Sequence, residues 1–598
     1  MILTALNDYY DRLVEQDAEG IAPYGYSYEQ ISYALVISKS GELVDVQDVR
    51  DLSGKKPRPG RLCVPQPPKR SVNVEPCFLW DKTAYVLGVT AKTDERSLDR
   101  ALITHKAFRD THKDLLSKED DPAIVAFLAF LDKWQPEDFG SSPKINDDIL
   151  DTNVVFRLDG DKSYIHEKSA ARLLRGRIAE ATGTAEIQCL VSGNRGALAL
   201  THASIKGVNG AQSAGASIVS FNLDSSTSYL KSQGDNAPIS EESAFAYTTA
   251  LNYLLRREEH NRQRIQIGDA TVVFWAEADS RKKSELAESL FANLLSPPAV
   301  DDESEAGKLR SVLEAVAQGR ALQEIDPELD PATRIYILGL SPNASRLSIR
   351  FWEQGSIQQF AEKLAEHFGD LWLEPSPWSR EPGIWRLLLE TVPHREGSRP
   401  KADDIHPLLA GELTRSILTG SRYPRSLLSN LIMRMRADGD LSSLRAALCK
   451  AVLARDLRKG VKGNLQEVPV SLDIDNTEPG YLLGRMFSVL ENIQKSALGK
   501  ELNATIRDRY YGSASATPAT VFPVLIRNTQ HHLSRLRKDK PGLAVNLEKD
   551  LGEIVGKLGP EFPRSLRIES QGHFAIGYYH QTQSRYAKKE LVQEGEEA

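Results

Sequence analysis

Six cations crowd into residues 51–70, DLSGKKPRPGRLCVPQPPKR. Lys55, Lys56, Arg58, Arg61, Lys69 and Arg70 face the single acid Asp51, giving a local charge of +5 in a chain of net charge −7. Pro57, Pro59, Pro65, Pro67 and Pro68 exclude a helix and hold the segment extended. An extended basic segment can follow a phosphate backbone or enter a groove, and Gln66 and Asn73 can hydrogen-bond base edges. By itself, a solvated surface loop is the favoured reading.

Two further stretches carry the same kind of chemistry. Residues 205–237 form a Gly/Asn/Gln/Ser-rich run in which Gly207, Gly210 and Gly215 free the backbone for close approach. Lys206, Asn209, Gln212 and Ser213 supply donors there. The segment 503–523, NATIRDRYYGSASATPATVFP, leads into a helix-forming stretch. Arg507, Arg509, Arg527, His531, His532, Arg535, Arg537 and Lys538 make this region cationic, and Tyr510 and Tyr511 offer rings for stacking on single-stranded nucleic acid. Taken alone, the first of these also reads as any long polar connection, and a basic helix face is more often merely solvated.

No catalytic constellation accompanies them. The sequence contains no G-x-x-x-x-G-K-[ST], G-x-G-x-x-G, H-E-x-x-H or G-x-S-x-G. His531 and His532 are adjacent, so on a helix they diverge and cannot share a metal. Asp473 and Asp475 in SLDIDN could chelate a cation, but a turn that caps the following helix is the favoured reading. Four scattered cysteines, none in C-x-x-C spacing, point to a reducing compartment without a thiolate zinc site. No catalytic residue, metal or cofactor is expected.

The elements that must position these residues fall into two styles. Apolar runs at 31–37, 84–89, 154–158 and 270–275 read as strands, and 335–340 and 347–352 as a hairpin about SPNASR. Helices are predicted at 123–134, 241–257 and 357–368. Beyond residue 405 the pattern is helix after helix. Leu409, Leu413 and Ile417 make one stripe, and Leu483, Met486, Phe487 and Leu490 another. The fold class is α+β, a mixed strand/helix N-terminal body followed by an all-α C-terminal bundle. The predicted organisation is an α+β domain over 1–280 with the DNA-contacting loops, and an acidic insertion or linker over 281–310. The α+β body then continues over 311–400, followed by a helical bundle over 401–598.

The chain of 598 residues is 41% hydrophobic and 26% charged, as soluble globular proteins are, which excludes collagenous, disulfide-stapled and wholly disordered classes. The N-terminus lacks a basic flank and a cleavage site, and no run approaches a membrane span, so a cytoplasmic protein is expected.

Taken together, the blocks APYGYSYEQISYALV, KKPRPGRLCVPQPPKR, VVFRLDGDKSYIHEKSAAR, IKGVNGAQSAGASIVSFNLDSSTSY, NAPISEESAFAYTTALNYLL, YLLGRMFSVLENIQ and NATIRDRYYGSASATPATVFP resemble the large-subunit family of the type I-C CRISPR Cascade. The likeness runs from Met1 to about Gln581 in unchanged order. Some relatives carry a second cysteine before the segment that reads IQCLVSGN here, and the lone Cys189 argues against a metal knuckle. The resemblance implies a non-catalytic subunit of an RNA-guided antiviral DNA surveillance complex. Such a subunit recognises a PAM in double-stranded target DNA, promotes R-loop formation and helps recruit a helicase–nuclease in trans. Implied partners are crRNA, a Cas5-type crRNA-processing subunit, Cas7-type backbone subunits and small subunits, with no membrane. PAM and DNA contact then falls to Lys55, Lys56, Arg58, Arg61, Gln66, Lys69, Arg70, Asn73, Lys206, Asn209, Gln212 and Ser213. Displaced-strand or duplex contact falls to Arg507, Arg509, Arg527, Arg535 and Lys538. The family also implies an internal translation start, and Met486 would yield residues 486–598 as a separate small subunit. A metal-dependent nuclease and a scaffold without nucleic-acid contact are the alternatives from other classes.

Overall fold

The structure is a computed structural model. It describes the chain except residues 17, 54–56, 69–73, 182–185, 222, 259, 296–302, 380, 395–399, 402–403, 462–465, 500–502 and 597–598. Two compact units emerge, one built from residues 1–203 and 219–253, the other from 204–218 and 254–598.

In the first unit the strands Tyr33–Ile37 and Asn153–Leu158 run parallel at the centre of a four-stranded sheet. Leu43–Asp48 and Trp80–Lys82 flank them. Every residue of Tyr33–Ile37 is buried because both faces of the sheet are covered. Alternation sorts the side chains. Tyr33, Leu35, Ile37, Val154 and Phe156 join a core with Phe108, Phe127 and Phe130 of the helices Glu95–Leu116 and Pro122–Lys133. Ala34 and Val155 point the other way, into a smaller cluster with Ile31 and Val64 of the ribbon Tyr26–Ile31/Gly60–Pro65. The basic strand is thus the lid of the second face. The run 84–89 is not the strand its composition predicts. Lys82 ends a short strand, and Thr83–Val86 is a helical turn that buries Tyr85 and Val86. A short apolar run fits either state, and here tertiary burial decides it.

His112 sits in this core, 1% exposed, with Phe108 and Phe127 against its ring. The Leu79 amide donates to its Nε2 (2.9 Å), so the proton lies on Nδ1, which donates to the Phe108 carbonyl (2.7 Å). Burial pushes its pKa down to about 4, and burial does the same to His166. These folded-state values lie below the unfolded value, so the stability they carry is complete above pH 6.5. It is lost as pH falls from there toward 4. Each histidine should contribute about 2–3 kcal/mol to acid destabilisation, from roughly 1.4 kcal/mol per pKa unit. Urea midpoints at pH 7 and 4.5 should show His112→Gln weakened at neutral pH but with a shallower acid slope. An unchanged slope would refute the assignment.

The second unit has an antiparallel sheet in the order Arg346–Ser356, Arg334–Asn343, Ala270–Glu277, Arg264–Ile267. The predicted hairpin is present, with Ala344 at φ 53° in its two-residue turn. Val272, Phe274 and Ala276 pack into one continuous core with the helices, while Trp275, Tyr336 and Trp352 stack along the sheet, neighbouring centroids 5.3–5.7 Å apart. The aperiodic linker predicted over 281–310 is corrected by the helix Arg281–Leu295, which buries Ala287, Phe291, Leu294 and Leu295. Its polar face, RKKSE, masks an apolar stripe behind it. The strands near 270 therefore share a sheet with those near 340, and the unit boundary falls near residue 253 instead of 280.

Among the described residues beyond 405, eight helices follow: Pro407–Thr419, Arg425–Asp438, Ser443–Arg458, Pro479–Leu498, Ile506–Ala516, Pro518–Asp539, Pro541–Lys557 and Ile568–Glu596. Proline occupies the first helical position in four of them, where its missing N–H costs no hydrogen bond. The whole is α+β, sheets first and helices last, as its sequence indicates.

Candidate nucleic-acid interface

In the first unit, the strand Gly60–Pro65 pairs antiparallel with Tyr26–Ile31, setting Arg61 opposite Gln30. Paired backbone hydrogen bonds between Asp51 and Arg58 (2.7 and 3.0 Å) close the loop that precedes it. The Trp80 indole donates to the Pro65 carbonyl (2.7 Å), and His166 Nε2 meets the Cys63 carbonyl (3.1 Å), so the ribbon is fastened from beneath. Arg58, Arg61 and Gln66 are exposed, and the Arg61 guanidinium lies 4.9 Å over the Tyr28 ring. Extension here comes from a strand ladder and not from proline alone. Lys55, Lys56, Lys69, Arg70 and Asn73 lie outside the described residues.

The 204–218 loop belongs to the second unit. Its base is a backbone bridge between Ile205 and Ala216. Gly207 has φ +91°, and a Cβ there would stand 2.6 Å from the Leu255 carbonyl, so only glycine fits. Asn209 is a node. Its Oδ1 accepts from Arg264 (2.8 Å) and Arg257 (3.1 Å), its Nδ2 donates to Gln266 (2.6 Å), and its amide donates to Thr271 (3.0 Å). The predicted base reader is engaged by the protein itself and works as the loop's clamp. Burial and the adjacent Arg257 guanidinium lower the pKa of Arg264 below its ordinary value. Lys206, Gln212 and Ser213 point outward on this rigid support. Sequence reasoning missed Arg257 and Arg264, although RREEHNRQR over 256–264 carries the signal: four arginines and a histidine partly masked by two glutamates.

The C-terminal cations divide. Arg527, His531, Arg535 and Lys538 are exposed along the helix Pro518–Asp539. Their spacings of four, four and three residues make one stripe, roughly 16 Å long at 1.5 Å per residue. Arg509 is exposed on the helix Ile506–Ala516, whereas Arg507 is half-buried. Burial works against the Arg507 charge, but Tyr578, Glu491 and Asp508 outweigh it and raise its pKa. His532, beside exposed His531, is half-buried, and burial lowers its pKa.

Stacking by the paired tyrosines is corrected. Tyr511 is 3% exposed with its ring against Phe487 and Phe574, and Tyr510 packs partly on the same core. On a helix the two neighbours cannot both face solvent when one side meets the bundle. Asp473 makes a local turn, accepting from the Asp475 amide (2.9 Å), but the cap of the next helix is Glu478, which accepts from Tyr481 N (2.6 Å). Among the described residues, no group of three or more His, Cys, Asp or Glu is placed to hold a metal, and no helix is long and apolar enough to cross a membrane.

Membership of a CRISPR-associated family implies a subunit of the Cascade type, a component that works with other Cascade members and crRNA, and a net acidic α+β chain with cationic loops and helix faces is compatible with that class. The family assignment rests on residues 6–586, which match the family described as CRISPR-associated protein (Cas_Csd1), and the chain belongs to that family. No curated protein matches it.

Proposed function

We propose that this chain is the non-catalytic large subunit of a type I-C surveillance complex. It recognises the PAM duplex, promotes R-loop formation and helps recruit a helicase–nuclease supplied in trans. The observation that carries the reading is the clamped 204–218 loop, a glycine-shaped, cation-backed projection that presents Lys206, Gln212 and Ser213. Arg58, Arg61 and Gln66 on the ribbon supply a second contact surface, with Lys55, Lys56, Lys69, Arg70 and Asn73 beside them in sequence. Family membership supports the assembly with crRNA, the Cas5-type and Cas7-type subunits and small subunits. The subtype, the cytoplasmic location and a small subunit started at Met486 belong to this proposal as well.

Binding of PAM and non-PAM duplexes to the reconstituted complex tests it. Lys206→Ala should weaken both duplexes alike, because a phosphate contact carries no sequence information. Gln212→Ala should narrow the difference between them if its amide reads a base edge. Asn209→Ala, by releasing Arg257, Arg264 and Gln266, should lower PAM affinity at least tenfold while the complex still assembles. Intact discrimination in a variant lacking all the exposed candidates would overturn the PAM assignment. Metal-dependent nicking by the purified chain would overturn the non-catalytic one.

A further inference from the structure

A cleft of about 950 Å³ opens between the helices Arg425–Asp438 and Ile506–Ala516, with the start of Ile568–Glu596 as its third wall. Its size lies within the ~300–1,000 Å³ of small-molecule sites. Arg436 and Arg509 line it from two different helices, both exposed, and neither has an acidic partner among the described residues. The two acids of the cleft are already engaged. Asp438 accepts from buried Arg445 (2.7 Å) and lies 3.6 Å from Arg434. Asp508 accepts from the Thr505 amide (2.8 Å) and hydroxyl (2.9 Å), and lies 3.9 Å from Arg507. Ser429 and Ser513 add hydroxyls, and Met433, 54% exposed, adds a polarisable apolar surface. Two polar atoms on the lining residues, Arg507 Nε and Gln571 Oε1, are buried without a hydrogen-bond partner among the described residues.

We infer that this cleft seats one nucleotide of a single-stranded polynucleotide, its phosphates on Arg436 and Arg509 and its base against Met433. Two unneutralised guanidiniums select phosphate, and guanidinium forks grip it bidentately. The apolar wall and the orphaned amide oxygen suit a heterocycle with N–H donors, which a sulfate or a carboxylate side chain lacks. A duplex keeps its bases paired and stacked and cannot present one to a concave site without flipping it out. The inference deepens the R-loop role proposed above and rests on that reading, choosing the displaced strand over the duplex among the contacts that the family resemblance implies. It adds Arg436, Met433 and Gln571, from helices outside the stretch that sequence reasoning marked.

Fluorescence anisotropy with the full chain tests it, using labelled twelve-residue oligo(dT), oligo(U) and a duplex of equal length, with poly-glutamate as competitor. Single strands should bind more tightly than duplex. The double variant Arg436→Glu/Arg509→Glu should lose at least tenfold in affinity. Its log–log salt dependence should become shallower by about 1.4, two phosphates at ~0.7 each. Met433→Ala should weaken binding with no change in salt slope, because its contact is apolar. An oligo(dU) arm compared with oligo(U) assigns the sugar, since dT and U differ in the base methyl as well. If the double variant destabilises the fold, Arg509→Gln on the exposed face still reads the loss of one phosphate. Wild-type affinity and slope in these variants, equal binding of duplex, or displacement by poly-glutamate as efficient as by oligonucleotide would each overturn the inference. PAM discrimination by the assembled complex is a separate readout and can stand whether or not the cleft binds.

Discussion

Replacing Asp370 by alanine should destabilise the Leu254–Ala598 unit by about 3–5 kcal/mol, the range for leaving a buried cation without its counter-ion. Asp370 is 4% exposed, and its carboxylate accepts from Arg455 Nε (2.8 Å) and from Arg458 (2.7 and 3.0 Å). Arg455 is wholly buried. Its Nη1 donates to the carbonyls of Ser416 (2.9 Å) and Ser421 (3.2 Å), and its guanidinium carbon lies 4.1 Å over the Tyr423 ring. Lys450, also buried, donates to the Asp370 carbonyl (2.9 Å), and burial lowers its pKa to about 8. Removal of the carboxylate thus leaves Arg455 buried without its counter-ion, whereas Arg458 is exposed to solvent and Lys450 keeps its bond to the backbone carbonyl. The urea midpoint should fall accordingly. The double variant Asp370→Leu/Arg455→Met should recover most of the loss, since a packed apolar pair replaces a buried ion pair at little cost. A loss below ~1 kcal/mol in Asp370→Ala would mean that water reaches Arg455.

That network also shows where reading a sequence stops. ATVVFW announces a buried strand, and SPNASR announces a hairpin, because both signals are local in the chain. Asp370 and Arg455 are 85 residues apart, and nothing local to either says that they meet. The same holds for Asn209, whose partners are Arg257, in the segment that follows the helix ending at Leu254, and Arg264 and Gln266 of the strand Arg264–Ile267. Its residue type suggested an open reader of base edges, and the tertiary contacts make it a clamp. Tyr511 failed for the complementary reason. An aromatic beside arginines suits stacking on a base and edge-to-face packing on Phe574 equally well, and only the direction of its helix face decides. Charge was the legible part. Arg509, Arg527, Arg535 and Lys538 are all exposed, because long cationic side chains are rarely buried without a partner.

A small subunit started at Met486 should be much less stable than the same bundle started at Pro479. The helix Pro479–Leu498 lies against Ile568–Glu596 along glycine contacts. A Cβ on Gly480, Gly484 or Gly577 would run into the facing backbone of Ser570, Phe574 or Tyr481 respectively. A start at Met486 removes this close-packed end. Tyr481, Leu482 and Leu483, all fully buried or nearly so, go with it, at roughly 1.5–3 kcal/mol each. Two hydrogen bonds go too, Tyr481 OH with His580 Nδ1 (3.1 Å) and Arg485 Nε to Gln581 (2.9 Å). The sum, roughly 5–9 kcal/mol, is comparable with the ~5–15 kcal/mol by which whole domains are stable. Purified 486–598 should therefore show helical circular dichroism with a broad, early urea transition, while 479–598 unfolds cooperatively at higher urea. Matching transitions would show that the glycine-packed end contributes nothing. In either fragment Tyr511 and Gly572 lose their neighbours Met435, Leu428 and Leu453 from the preceding helices. A small subunit made from this frame consequently carries an apolar face that its neighbours in the complex must cover, and its stability should rise on assembly, as it does for any chain whose partner binds only the folded state.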